Sequence, residues 1–226
     1  MALHAKPSGG YAVGSQEWND NIDALWDFCH FDLDYSEEAF AGMMGNAQSE
    51  GVMNPWRWQN DYCDQDYDNG YGLFQYTPGR GYINDYGHYS SRYAPNLSVT
   101  VQTPGASPDD GYAQIEVIPV SGKYVGGSVR ISKLIPYVPT CANYQNIDAY
   151  KTVDDVEMAT YLWLGFFEYP GWWRDQIDVD RNFQERYGHA MEVYNHIHTP
   201  TPPTPTGDLL MWGGARENIR LNILRR

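Results

Sequence analysis

Glu50 is the residue whose type and place most readily do chemistry. It lies seven positions after Met43, about two helical turns on, so it points within ~20° of the Met43 direction, at the rim of an apolar stripe formed by Phe40, Met43, Met44 and Ala47. Gly51 follows at once and reads as a helix stop. A carboxylate in the last turn meets the negative end of the helix dipole, where stability alone would favour Lys or Arg. Partial burial and that dipole both favour the protonated carboxyl, the state a general acid needs near neutral pH. The plainer alternative is a solvated Glu on a fraying helix end.

Two other constellations suggest metals. His30-x-x-x-Asp34 with His196-x-His198 copies the ligand set of zinc peptidases that cut peptidoglycan cross-links. Those ligands belong on strands, whereas here they sit in helical runs, and His196 and His198 would diverge by ~160° on a helix. Residues 64–70 mimic the start of a calcium loop, but glycine comes at position seven instead of six and Gln75 replaces the closing Glu. No cofactor or metal site is therefore expected. Cys29, Cys63 and Cys141 are odd in number and widely spaced, which fits reduced thiols.

The elements that must position Glu50 show in the hydrophobic period. Residues 16–30 carry Trp18, Ile22, Leu25, Trp26 and Cys29 on one face, with Ser15 as N-cap. Residues 36–50 begin at Ser36, with Glu37 and Glu38 at the positive helix start. Residues 152–168 open on Thr152 and Asp155 as a capping-box-like start and place Val156, Ala159, Trp163, Phe166 and Phe167 together, before Pro170 and Gly171 end the run. Residues 178–197 align Phe183, Tyr187, Ala190, Tyr194 and Ile197. Residues 51–80 lack period and read as loop with a short hairpin. Ser107-Pro108 reads as a helix start, while 115–118 and 129–135 fit helix or strand equally. TPTPPTPT at 199–206 is a stiff spacer, and 207–226 is a small basic tail.

Composition narrows the function classes. Of 226 residues, 42% are apolar, enough for a packed core, and the formal charge of -14 argues against non-specific nucleic-acid binding. No apolar run reaches membrane-spanning length, and the N-terminus lacks a secretion-signal pattern. Nineteen Tyr and 8 Trp suit surfaces that stack on sugars, although part of that content must fill the core.

Three segments carry a specific resemblance. Residues 41–50 read AGMMGNAQSE, Asn54-Pro55 follows, and residues 70–77 read GYGLFQYT. Together with Phe167-Glu168-Tyr169-Pro170 and the Tyr-rich last helix bearing Arg186, they resemble the phage tail lysozyme family of the lysozyme and lytic transglycosylase superfamily. The resemblance covers about 16–198 and is firmest over 36–80. It implies a mainly α (α+β), lysozyme-like fold with a small irregular or β element at the cleft. The implied domains are a catalytic unit at 1–198 with a long elaboration at about 81–150, then the spacer and the tail.

The resemblance also implies that Glu50 is the acid of a peptidoglycan muramidase, with Gln75, Tyr71, Tyr76 and Trp58 along the saccharide groove. A two-carboxylate hydrolase needs a second acid. Asp61, Asp64, Asp66 and Asp68 are the candidates, Asp61 first because it follows the aromatic loop soonest. Without such a partner the enzyme would run on one Glu, as lytic transglycosylases do. The implied setting is a virion tail that opens the cell wall during genome entry. Its expected partners are peptidoglycan and phage tail subunits, without nucleic acid or stable membrane insertion, and the protein would be made in the bacterial host cytoplasm. The alternative is an inactive structural tail-tip protein that binds glycan or a partner subunit; a zinc endopeptidase is the remote one.

Overall fold

The computed structural model describes residues 3–6, 9–59, 69–79, 82, 110–168 and 179–199, the first three of the last stretch by backbone alone. The spacer beyond residue 199, the basic tail, Asp61, Asp64, Asp66, Asp68 and the calcium-like segment up to residue 68 lie outside the described residues.

Helix α1 spans Gln16–Leu33 and starts where expected: the Ser15 side chain accepts the Trp18 N–H at 3.2 Å. Helix α2 spans Glu37–Gly51, with Ser36 accepting the Ala39 N–H at 3.1 Å. Phe40, Met43, Met44 and Ala47 are fully buried, but so are Ala39, Ala41 and Asn46. The apolar stripe expected on α2 is thus a helix enclosed on almost every side, which makes it the central element of the fold.

Two glycines allow that enclosure. A Cβ on Gly42 would stand 2.6 Å from the Ala159 Cβ, and one on Gly45 would stand 2.5 Å from the Ala190 backbone N. Each glycine costs an α-helix about 1 kcal/mol against alanine, a cost offset here by backbone-close packing of two neighbours on α2.

Those neighbours come from the second half of the chain. Short helices α3 (Asp110–Glu116), α4 (Ile118–Ser121), α5 (Ser128–Leu134) and α6 (Ile147–Tyr150) precede them. Both segments that fitted helix or strand are therefore helical. Ile115, Val117, Ile118, Leu134 and Tyr150 join the same buried cluster as α1 and α2. Helix α7 spans Val156–Trp163 and is capped by Asp155, which accepts the Met158 N–H at 2.7 Å. The start expected at Thr152 is corrected: its hydroxyl donates to the Ala149 carbonyl at 2.8 Å and closes the turn after α6.

Helix α7 continues as a π turn, Leu164–Glu168. Such a turn frees a carbonyl from the helical ladder. Here the Phe166 carbonyl accepts the Val125 N–H at 3.1 Å and an Arg130 guanidinium N–H. Helix α8 spans Val179–His198 and runs antiparallel to α2, since Tyr194 bonds Glu38 while Arg186 reaches Asn46 and Glu50.

The described residues hold eight α-helices and almost no strand. The β element is reduced to two isolated antiparallel bridges, Trp58 with Tyr71 and Tyr71 with Tyr76. Among the described residues, no helix is long and apolar enough to cross a membrane.

Candidate active site

Glu50 sits in the last turn of α2, with its side chain 29% exposed. Val52 and Met53 follow with φ of 44° and 54°. Left-handed backbone at a β-branched residue is strained, and such strain gathers at functional sites. Gly51 lets the 70–77 loop close on this helix end, since a Cβ there would lie 2.6 Å from the Gly72 and Leu73 carbonyl oxygens.

The cation that the dipole argument misses comes from α8. Arg186 donates from Nη2 to the Glu50 Oε1 and, from Nη1, to the Asn46 Oδ1 at 3.1 Å. Its side chain is only 8% exposed. Asn46 precedes Glu50 by one helical turn, so both face α8. The Asn46 amide in turn donates to the Gly42 carbonyl at 2.8 Å, which fixes the side chain that fixes Arg186. Sequence spacing could not pair Glu50 with Arg186, because 136 positions separate them.

A second carboxyl group completes the cluster. Glu168 ends the π turn, and its Oε1 accepts the Trp163 indole N–H at 3.3 Å. Burial raises its carboxyl to about 8, and the Glu50 carboxylate adds to that rise against the opposing pull of Arg186, the Trp163 bond and Lys123. The carboxyl group that burial pushes toward its neutral form is thus Glu168, a residue of the Phe-Glu-x-Pro segment with no role legible in the sequence.

The expected saccharide-binding residues lie at 58 and within 71–76, and the 70–77 loop closes on this helix end. Trp58, Tyr71 and Tyr76, expected along a saccharide groove, are at most 2% exposed. Trp58 packs on Tyr71 with ring centroids 5.0 Å apart, and Tyr76 stacks on Tyr82 at 4.2 Å. The Tyr71 hydroxyl bonds Asp110, and the Tyr76 hydroxyl donates to the Gln114 carbonyl at 2.8 Å. Gln75 is partly exposed, but its amide donates to the Gly72 and Arg57 carbonyls at 2.9 and 3.3 Å. Of the two loop indoles, Trp56 keeps an exposed part where Trp58 does not.

The glycine-rich loop is pinned by Gln114, which sequence reasoning missed. Gln114 accepts the Leu73 N–H and donates to the Pro55 carbonyl, both at 2.8 Å. Gly72, at φ 82°, has no room for a Cβ, which would lie 2.4 Å from the Gln114 Oε1. Asn54 is likewise architectural: its amide donates to the Lys6 and Gly9 carbonyls at 2.9 and 2.8 Å.

The zinc-like histidines do not converge. His196 pairs with Asp23 at 2.8 Å, His198 with Glu37 at 2.9 Å, and His30 contacts the Tyr35 carbonyl.

A helical fold built round a buried helix that ends in a glutamate is the frame expected of a lysozyme-like protein. The chain belongs to the phage tail lysozyme family, whose model matches residues 20–197. A 50-residue stretch is also 40% identical to morphogenesis protein 1 of Bacillus phage B103. That stretch is 22% of this chain and 13% of the relative, so the match spans a small part of that protein's length.

Proposed function

We propose that this chain is a phage-tail glycosidase that cuts the glycan strands of bacterial peptidoglycan, with Glu50 as the acid. The observation that carries this reading is the cluster at the end of α2. There a partly exposed Glu50 is held by a buried Arg186, which also donates to Asn46. A group placed against the helix dipole and fixed by such a network gains little stability and much orientation.

In the proposed reaction, Glu50 gives its proton to the glycosidic oxygen as the bond to the anomeric carbon breaks. Asp61, outside the described residues, is the proposed second carboxylate that supports the positive charge on the sugar. Water then completes hydrolysis. If Glu50 acts alone, the sugar's own 6-hydroxyl closes a 1,6-anhydro ring. The family points to a place in the virion tail and to wall degradation during genome entry. Residues 207–226 are proposed as a tether to a tail subunit.

A second reading has its own observation. The buried Trp58, Tyr71 and Tyr76 and the occupied amide of Gln75 leave little of the expected sugar-stacking surface open, which favours a structural tail protein. Zymography on purified wall separates the two. Glu50→Gln should lower lysis at least ~100-fold without unfolding the chain, because the isosteric amide has no acidic proton. Lysis near the wild-type level by the folded variant contradicts the enzymatic role of Glu50.

A further inference from the structure

A surface groove of about 220 Å³ runs between α7 and the segment at 137–140. Its floor is apolar and aromatic. Tyr137 and Tyr161 stack there with ring centroids 5.1 Å apart, and Pro139 and Met158 extend the surface. Its rim is acidic, formed by the exposed Asp155 and Glu157. The wall at 137–140 is held by the buried Val138, whose N–H donates to the Leu134 carbonyl at 2.8 Å. Its neighbours Tyr137 and Pro139 stay at the surface, Tyr137 with 39% exposure.

The chain leaves α8 close to this groove. His198 pairs with Glu37 at 2.9 Å, and the hydroxyl of the adjacent Ser36 donates to the Val153 carbonyl, two residues before Asp155. From residue 200 onward the sequence reads PTPPTPT, then continues with Arg216, Arg220, Arg225 and Arg226 against Asp208 and Glu217.

We propose that the groove is the docking site of the chain's own proline-rich segment, residues 200–206. Grooves floored by aromatic rings suit such segments, because proline rings are apolar and the extended backbone has little freedom left to lose. Pro200, Pro202, Pro203 and Pro205 fix their own φ, and they confine Thr201, Pro202 and Thr204 before them to extended conformations. Seven residues at about 3.1 Å each reach about 22 Å. The groove follows α7 from Asp155 to Tyr161, about 9 Å of helix, and packed helices such as α7 and α8 lie about 8–10 Å apart. The segment therefore reaches across α7 and along the groove. The acidic rim also has the sign opposite to the arginine-bearing stretch that follows the prolines.

Docking there gives the tail a fixed point of departure. Ser36 and Glu50 stand at opposite ends of α2, about 21 Å apart along the helix. A segment seated by Ser36 and Asp155 keeps residues 207–226 away from the Glu50 end. This holds whether or not Glu50 is catalytic.

The test uses the full chain with p-benzoylphenylalanine in place of Thr140, which lines the groove. Irradiation of the dilute protein, followed by mass spectrometry of its peptides, should give a crosslink within one chain from position 140 to residues 200–206. Tyr137→Ala should lower its yield about tenfold, and so should the joint change Pro200→Gly, Pro202→Gly, Pro203→Gly and Pro205→Gly. Crosslinks only to 207–226, only to a second copy of the chain, or only to residues lining the groove overturn the proposal, as does a yield unmoved by these substitutions. If the label at 140 fills the groove or unfolds the chain, the reverse label decides: p-benzoylphenylalanine in place of Thr204 should crosslink within one chain to the groove residues, and its failure to do so overturns the proposal. Wall lysis is no part of the readout, so the glycosidase reading stands or falls separately.

Discussion

The two ends of α2 are contacted by the same helix, α8, and are built in opposite ways. At the N-terminal end, Glu37 and Glu38 complement the helix dipole and meet His198 and Tyr194. The Glu37–His198 pair is exposed, at 45% and 42%. At the C-terminal end, Glu50 opposes the dipole and meets Arg186, whose side chain is 8% exposed. The first arrangement is what helix stability selects, and it is worth little because water competes for both partners. The second puts a carboxylate where a helix disfavours one and surrounds it with buried polar partners. That contrast is what singles out the C-terminal end as the proposed place of chemistry.

Breaking the buried end should have the largest effect. Arg186→Met strands the Glu50 carboxylate and the Asn46 oxygen, and should cost about 3 kcal/mol in urea unfolding together with most of the wall lysis. Gly45→Ala attacks the packing that brings α8 to this end. Its Cβ would press on the Ala190 N and Arg186 O at 2.5 and 2.6 Å, both of them backbone. A net loss of about 1–3 kcal/mol is expected even after the gain in helix propensity, and a neutral result would mean that the two helices separate easily.

The next effect is pH dependence. The folded state holds a proton on Glu168 up to about 8, whereas the unfolded chain releases it near 4.5. Stability from this group is therefore full below 4.5 and declines as pH rises through about 8. The slope is at most about 1.4 kcal/mol per pH unit. Thermal unfolding at a series of pH values should show this decline, and Glu168→Gln should flatten it. The smallest effect belongs to the exposed end: His198→Ala should change stability by less than about 1 kcal/mol, and added salt should shrink that difference further.

The comparison also shows what was legible in the sequence. Helices α1, α2 and α8 follow the 3.6-residue period, and Ser15 and Ser36 announce their starts because a capping hydroxyl acts within three residues. The helix–strand choice at 115–118 and 129–135 was not legible, since short apolar runs lack enough turns to show a period. The exposed pair Glu37–His198 and the buried pair Glu50–Arg186 are both long-range, so neither partner could be read from spacing.

Glu50 itself could be singled out because it breaks a local rule, whereas Glu168 breaks none until the fold brings it beside Glu50. The aromatic loop was ambiguous for a related reason. Trp58, Tyr71 and Tyr76 look alike as sugar platforms or as core, and their burial depends on partners about forty positions away, Asp110 for Tyr71 and Gln114 for Tyr76. Asp61 and the tail at 207–226 carry roles that rest on the proposal alone.

The most direct test of the central claim is mass spectrometry of fragments released from purified peptidoglycan by the full chain, read beside Glu50→Gln at equal folded concentration. The account predicts fragments cut within the glycan strand, ending in reducing muramic acid or its 1,6-anhydro form, and their near-complete loss in Glu50→Gln. Fragments cut only at the peptide cross-links, or glycan fragments released equally by the folded variant, would contradict it.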